Sequence, residues 1–319
     1  MTAPSSWSDP PARAPRPLPL FGWLSRWRGL RRLGMLGMNR RNAACILDLN
    51  LRSAYPLVDN KRKMRDLCRG IGVPTPAIYA TVAAHSAMRR LPQLLAGRSD
   101  FVLKPNRGAG GRGILVVVGR EGNRFQRHNG QLLEWTDLRQ HVSSIVSGLF
   151  SLSGLPDEAL VQQRVLPHPA FDAMTYQGIP DIRIILYRKE PAMAMLRLPT
   201  RQSDGRANLH QGGIGAGIDL ATGRTTRAVC RNCLTDRHPD TGTSLVGFLV
   251  PHWREVLEMA VRVAEAIPLG YLGVDIVLDR NQGPLLLEGN ARPGLAIQLA
   301  NGQGLLPRLE AIDAEMRNA

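Results

Sequence analysis

Three oxygen-bearing side chains near the C-terminus, Asp275, Glu288 and Asn290, are spaced for metal chemistry. Gly273 to Leu278 alternates as a strand, Asn281-Gln282-Gly283 supplies turn residues, and Pro284 to Asn290 reads as the returning strand of a hairpin. Residues two apart on a strand share a face, so Glu288 and Asn290 point the same way, and cross-strand pairing brings Asp275 to that side. Two carboxylates and an amide oxygen on rigid strands suit a hard divalent cation, Mg²⁺ above all, held in part through phosphate oxygens. Either acid alone is more commonly a solvated strand-end residue. Together, on an otherwise apolar hairpin, they need a partner, and a cation supplies it.

A second chemistry, anion binding, is written further upstream. Phe101 to Val118 reads as a strand, a glycine-rich loop and a second strand. Gly108, Gly110 and Gly113 satisfy G-x-G-x-x-G, but a strand rather than a helix follows, and no G-K-[ST] marks a P-loop. What is left is a loop between strands, in which Gly108, Gly110, Gly111 and Gly113 let backbone N–H groups approach phosphate oxygens. Lys104 adds a charge there, with Arg107 and Arg112 beside it. Leu196 to Ile218 concentrates Arg197, Arg201, Arg206, Asn208 and His210 ahead of a glycine cluster. Arginine forks match carboxylates and phosphates, and Asn208 offers both an oxygen and donor hydrogens. His210 by itself is more commonly a satisfied loop residue than a catalyst.

Taken together these segments resemble the ATP-grasp superfamily, with the RimK-type, alpha-L-glutamate ligase-like enzymes as the nearest group. The resemblance is carried by D-N-K-x-K from Asp59 followed by a helix and G-I-G-V-P-T-P, by the K-P strand end with its glycine loop, and by Leu160 to Pro167. It continues in D-I-R from Asp181, in G-R-A-N-L-H-Q-G-G from Gly205, which is similar to R-x-N-L-x-x-G-G, and in D-I-V-L followed by L-L-L-E-G-N-A-R-P-G-L. The blocks stand in family order from Asn60 to the end of the chain.

The resemblance implies an α+β ATP-grasp fold, two α+β subdomains sandwiching ATP, with a reduced N-terminal region. It implies that Asp275, Glu288 and Asn290 hold two Mg²⁺ ions, or Mn²⁺ in their place, on the ATP phosphates, which Lys61 and Lys104 also reach beneath the glycine loop. The adenine hinge falls loosely on Gln163, Arg164 and Val165, largely through backbone atoms. Arg183, Arg206, Asn208 and Arg292 form the implied catalytic set, with Pro293-Gly294-Leu295 shaping the acceptor side. The implied activity is an ATP-dependent carboxylate–amine ligase. A carboxylate of a peptide, protein or small molecule attacks the γ-phosphorus to give an acyl phosphate, and an amine, such as that of glutamate, displaces phosphate. Gly289 departs from the pattern, because that group usually has a bulkier apolar residue there. Two other readings remain. A kinase-like phosphotransferase would share the loop, lysine and metals, but H-R-D and D-F-G blocks are not found. A non-catalytic nucleotide- or anion-binding protein fits the charge alone.

The elements that must position these groups are partly legible. From Asn42 to Gly97 the chain is helix-biased, and within it Asp59-Asn60-Lys61 precedes Met64, Leu67 and Cys68 at helical spacing, with Gly70 and Gly72 as the stop, so Lys61 opens a helix. Gln131 to Leu152 and Trp253 to Ile267 read as helices, the latter burying Leu257, Ala260, Val261 and Ala264. Asp181 to Leu186 alternates as a half-buried strand, its charges read most simply as a surface ion pair. The expected organisation is a tail and basic segment over 1–41, a reduced N-terminal region over 42–99, and ATP-grasp subdomains over 100–166 and 167–319.

The 319 residues carry 41 basic and 26 acidic side chains, a formal charge of +15 that calls for an acidic partner. Aromatic residues are only 5% and no basic stretch is interleaved with them, so nucleic acid is not expected. No apolar run is long enough to span a bilayer, and the proline-rich Met1 to Pro19 has no signal core, which places the expected location in the cytoplasm. Leu20 to Arg41 is a basic amphipathic segment, with Leu20, Trp23, Leu24, Trp27 and Leu30 on one face. It suits peripheral attachment to an anionic membrane surface or membrane protein at the inner face, and equally docking on its own domain. Cys230 and Cys233 form a lone C-x-x-C without a second pair at zinc spacing.

Overall fold

The structure, a computed structural model, describes residues 28–318 except 109 and 153, so Leu20 to Trp27 of the basic segment lie outside it. Two antiparallel sheets organise the chain. The first contains β1 (Ile78–Val82), β2 (Phe101–Pro105), β3 (Leu115–Glu121), β4 (Arg124–Arg127), β5 (Leu132–Leu133) and β6 (Ala159–Gln162), in the order β1-β6-β2-β3-β4-β5. The second contains β7 (Asp181–Tyr187), β8 (Glu190–Leu198), β9 (Ile214–Ile218), β10 (Thr225–Cys230), β11 (Cys233–Thr235), β12 (Tyr271–Asp279) and β13 (Gly283–Asn290), in the order β11-β10-β9-β8-β7-β12-β13.

Each sheet buries one face on a helix. Phe101, Leu103, Val117 and Phe125 pack with Leu138, Val142 and Ile145 of the Trp135–Val146 helix. Ile182, Ile184, Val274 and Ile276 pack with Val256, Ala260 and Val263 of the Trp253–Ala266 helix. The second sheet is covered on its other face too. There Ile185, Tyr187, Met193, Met195 and Tyr271 meet Leu36, Cys45 and Ile46 from the N-terminal side and Ile297, Leu309 and Ile312 from the C-terminal helices.

Buried amides fix the N-terminal stretch in place. The Leu36 N–H donates to Gln298 Oε1 at 2.7 Å, and the Asn50 side chain donates to the carbonyls of Tyr271 and Ala291 while accepting from the Tyr271 N–H at 2.8 Å. From Leu33 onward the chain therefore docks on its own body, whereas Leu30 is exposed. No described helix is long and apolar enough to cross a membrane.

Two expectations change. The stretch from Gln131 to Leu152 is not one helix: β5 precedes a helix over Trp135–Val146, which starts where the Glu134 N–H donates to the Asp137 carboxylate at 2.8 Å. It ends before Gly148, at φ 86°, where an added Cβ would strike the Leu155 carbonyl. The stretch from Asn42 to Gly97, expected to be helix-biased, contains the edge strand β1. Pro74 and Pro76 bias the entry toward extended backbone, and β6, distant in sequence, supplies the pairing.

Candidate active site

Strand register assembles the charged half of the second sheet. Asp275 on β12 lies opposite Glu288 on β13 and opposite Arg183 on β7, Asn290 lies opposite Gly273, and Arg197 on β8 lies opposite Asp181. The shared face expected for Asp275, Glu288 and Asn290 is thus present, and Asp181, Arg183 and Arg197 join it.

The charges here are interior rather than a surface pair. Asp275 is 1% exposed, accepts from Arg183 Nε at 2.7 Å, and lies 2.8 Å from Arg197 Nη2. Arg197 also donates to Asp181. Burial disfavours the Asp275 carboxylate, but the two guanidiniums outweigh it and hold the carboxyl below its ordinary range. Burial pushes Asp181 up; Arg197 opposes this and the like charge of Asp275 reinforces it.

Lys61 and Lys104 converge for reasons visible in the backbone. Asn60 caps the Lys61–Gly70 helix by accepting from the Lys63 N–H at 3.0 Å. The fully buried Asn106, just past β2, accepts from the Lys61 and Arg62 N–H groups, so the helix start is tied to the end of the strand that carries Lys104. Lys61 Nζ donates to the Gly108 carbonyl at 2.9 Å and stands 3.7 Å from Glu288 Oε2. Lys104 is 4% exposed, and burial, followed by the neighbouring charge of Lys61, brings its ammonium down to about 7 against the pull of Glu288. Both lysines line a narrow cleft of about 20 Å³ between the sheets, with Thr75, Ile78, Gln162 and Leu286. A broader hollow of about 450 Å³ lies on the outer face of the Trp253–Ala266 helix, remote from these groups.

The remaining expected residues are distributed around this cleft. Gly110, Gly111 and Gly113 have φ of 65–74°, and a Cβ at Gly113 would overlap the Phe150 ring. The loop tip reaches the second basic stretch: Gln211 Nε2 donates to the Gly110 carbonyl at 3.5 Å, and Arg206 Cδ lies 3.7 Å from where a Gly111 Cβ would be. Asn208 Oδ1 accepts from the His210 N–H at 3.0 Å. The Arg292 N–H donates to Asn290 Oδ1 at 2.9 Å, while its guanidinium stacks on Tyr55. At the expected hinge residues, Gln163 exchanges hydrogen bonds with Ala77, Arg164 lies 3.6 Å from Asp100, and Val165 is buried beside Val277 and Leu285. The side chain missing at Gly289 is replaced from another element, since a Cβ there would meet Val58 at 2.9 Å and Met64 at 3.0 Å. Cys230 and Cys233 oppose each other across the Arg231-Asn232 turn as free thiols, with Cys230 Sγ 3.6 Å from the Gly212 carbonyl.

The donor chemistry fits a cation on Glu288 and Asn290, which project from the same strand with Glu288 one-third exposed. Asp275 is committed to two guanidiniums and takes part only by exchanging them. Among the described residues no group of three or more His, Cys, Asp or Glu is assembled for a metal.

Sequence alone does not point to Asn106 or to the pairing of Asp181 with Arg197. Asn106 follows K-P directly, but only the fold shows that its amide meets a helix N-terminus; Arg197 was one of several arginines until register placed it against Asp181.

The geometry defines a cationic cleft between two antiparallel sheets, roofed by a glycine-rich loop and floored by a carboxylate hairpin. Residues 40–314 match the model of the sugar-transfer associated ATP-grasp family, and the chain belongs to that family, with its α+β ATP-grasp fold. A probable alpha-L-glutamate ligase of Maridesulfovibrio salexigens is 25% identical over 239 residues, covering 74% of this chain and 56% of the relative. A ribosomal protein bS6–L-glutamate ligase of Escherichia coli is 26% identical over the same length, again 74% of this chain and 56% of the relative. The chain thus spans little more than half the length of the curated relatives it matches. Among solved structures, D-alanyl-alanine synthetase A from Vibrio cholerae aligns with a TM-score of 0.49 at 13% identity, over 83% of this chain and 67% of that one.

Proposed function

We propose that this chain is an ATP- and Mg²⁺-dependent carboxylate–amine ligase, joining an amino acid such as glutamate to a carboxylate of a peptide, protein or small molecule. The observation that carries the reading is the meeting of Lys61, Lys104 and Glu288 beneath the glycine loop, opposite the arginine-bearing loop of the second sheet. The two related glutamate ligases support it. Lys61 and Lys104 hold the triphosphate, and backbone N–H groups of Gly108, Gly110, Gly111 and Gly113 close over it. Arg183 and Arg206 offset charge as the acceptor carboxylate attacks the γ-phosphorus, and Asn208 and Arg292 orient the acyl phosphate for the amine. Mg²⁺ would be held by Glu288 and Asn290, with Asp275 joining only if it gave up a guanidinium, and would supply positive charge beside the phosphates.

The decisive assay is ADP release. Turnover that needs both an amine and a carboxylate supports the ligase. Phosphate transfer to a hydroxyl alone would instead support a kinase-like enzyme, and no release with any pair a binding protein.

Lys104 gives a separate readout. With its ammonium brought down to about 7, Lys104 is mostly neutral at pH 8; phosphates beside it restore the charged form. Nucleotide binding at pH 8 is therefore expected to take up most of a proton, measured by calorimetry in buffers of different ionisation enthalpy. Lys104→Ala should lose that uptake and weaken both nucleotide affinity and turnover, because a lysine touching phosphate acts in ground and transition states alike. Unchanged uptake in the variant would remove Lys104 from the site.

A further inference from the structure

Cys230 and Cys233 face each other across the tip of the hairpin formed by β10 and β11, at the outer edge of the second sheet. The two residues between them fix that opposition. Arg231 and Asn232 have φ of 53° and 62°, the pair of positive angles that a two-residue type I′ turn requires and that matches the twist of the strands. Residues directly opposite in an antiparallel pair have Cα atoms about 4.5–5.5 Å apart and side chains on one face. A disulfide accepts Cα separations of about 4.4–6.8 Å, so the observed register lets the two sulfurs bond without a change of pairing. Both are accessible, Cys233 exposed and Cys230 half-buried, whereas the other two free thiols, Cys45 and Cys68, are buried.

The inner thiol is already in use. Cys230 Sγ donates to the Gly212 carbonyl at 3.6 Å, which also accepts from Thr200 Oγ1 at 2.9 Å. That carbonyl is anchored from β10 on one side and from the turn after β8 on the other. Gly212, at φ 95°, and Gly213 close the loop that carries Asn208. The Gly212 N–H donates to the Leu209 carbonyl at 3.3 Å and the Gly213 N–H to the Asn208 carbonyl at 2.9 Å. A disulfide sulfur carries no hydrogen, so oxidising Cys230 removes one of the two anchors.

We propose that Cys230 and Cys233 are a reversible redox site, converted to a disulfide by low-molecular-weight disulfides, and that this oxidation loosens the Asn208–Gly213 loop. The exposed Cys233 thiolate attacks one sulfur of the incoming disulfide, forming a mixed disulfide and releasing one thiol. The Cys230 thiol then gives up its proton and attacks the Cys233 sulfur, forming the internal bond and releasing the second thiol. One external disulfide is reduced to two thiols for each internal bond made. Burial pushes the Cys230 thiol up and Arg231 opposes it, so Cys230 is held as a hydrogen-bond donor until Cys233 has been engaged. Because Asn208 belongs to the proposed acceptor site, an effect on ligation rests on the ligase reading; the disulfide and the loosening do not.

The test treats the full chain with oxidised glutathione and follows it by mass spectrometry and backbone hydrogen exchange. The expected product has lost two hydrogens and retains no glutathione, and tryptic cleavage after Arg231 leaves two peptides joined through Cys230 and Cys233. Exchange over 208–213 should rise about threefold, as loss of one weak hydrogen bond implies, and return to its starting rate with dithiothreitol. In Cys230→Ser the hydroxyl keeps a donor for Gly212, so this variant should retain glutathione on Cys233 and show no rise in exchange. A stable glutathione adduct on the unaltered chain, an internal disulfide that leaves 208–213 unchanged, or an equal rise in Cys230→Ser overturns the proposal. On the ligase reading, ADP release should fall when the unaltered chain is oxidised and hold in Cys230→Ser. Equal ADP release before and after oxidation, with the exchange change intact, overturns the effect on ligation. If the reduced chain releases no ADP with any carboxylate and amine, the ligase reading falls and the redox site stands.

Discussion

Glu288→Gln is expected to lower kcat of ATP-dependent ligation by roughly 10²–10³-fold while leaving the protein folded, because it removes charge worth several kcal/mol to a phosphate-bound cation. The geometry makes this the cleanest metal-ligand variant. Glu288 is one-third exposed on its side chain and stands 3.7 Å from Lys61, beyond hydrogen-bond distance, so the pair is a loose one. Gln keeps the size and one oxygen, so β13 and its pairing with β12 remain as they are. Asn290, two residues on, retains its oxygen. The measurement is steady-state turnover over a Mg²⁺ titration, beside a thermal melt of the same preparation. Wild-type turnover at saturating Mg²⁺ in a folded variant would remove Glu288 from the metal site. A shifted Mg²⁺ dependence with partial recovery at high concentration is the pattern of a weakened ligand.

The sequence disclosed the chemistry better than the packing. The hairpin from Tyr271 to Asn290 was legible because its period-2 alternation, turn residues and polar positions agree, but Asp275 meets Glu288 only because the register shifts by one residue between Asp275 and Ile276; regular pairing from the turn would have set it opposite Leu287. Lys61 was legible because its helix carries both a cap and a stop. Other features depend on contacts distant in sequence. The β1 edge strand forms only because β6 stands beside it, and the interior position of the Arg183–Asp275 pair depends on β7, β8 and β12 being neighbours. Alternation within Asp181–Leu186 shows that two charges share a face, but not whether that face meets water. The vacancy left by Gly289 shows the same limit: Val58 and Met64 fill it from a segment more than two hundred residues upstream.

That buried network yields a prediction opposite in kind to Glu288. Asp275→Asn is expected to destabilise the fold, by about 3–5 kcal/mol if the charges are left unpaired as in other broken buried ion pairs, and thereby to reduce the amount of active enzyme as well as its rate. Asp275 lies 2.8 Å from Arg197 and is gripped by Arg183, whose side chain is 11% exposed, so neutralising the acid leaves two guanidiniums in low dielectric, with Asp181 as the carboxylate still in contact with Arg197. Asp181 is a poor substitute, since burial already disfavours its charged form. Urea unfolding of the single variants and of Asp275→Asn combined with Arg183→Met measures the effect. Removing Arg183 as well should recover part of the loss, giving strong non-additivity, as expected for groups sharing one network. Additive losses, or an unchanged unfolding midpoint in Asp275→Asn, would show that the guanidiniums find other partners and that the network is not a structural requirement. Activity lost in Asp275 variants thus has two sources, and the metal contribution is read from Asp275 only after correction for the folded fraction. Glu288 and Asn290 test the proposed metal site more directly, because Glu288 makes a loose ion pair at 3.7 Å and Asn290 Oδ1 a local hydrogen bond with the Arg292 N–H.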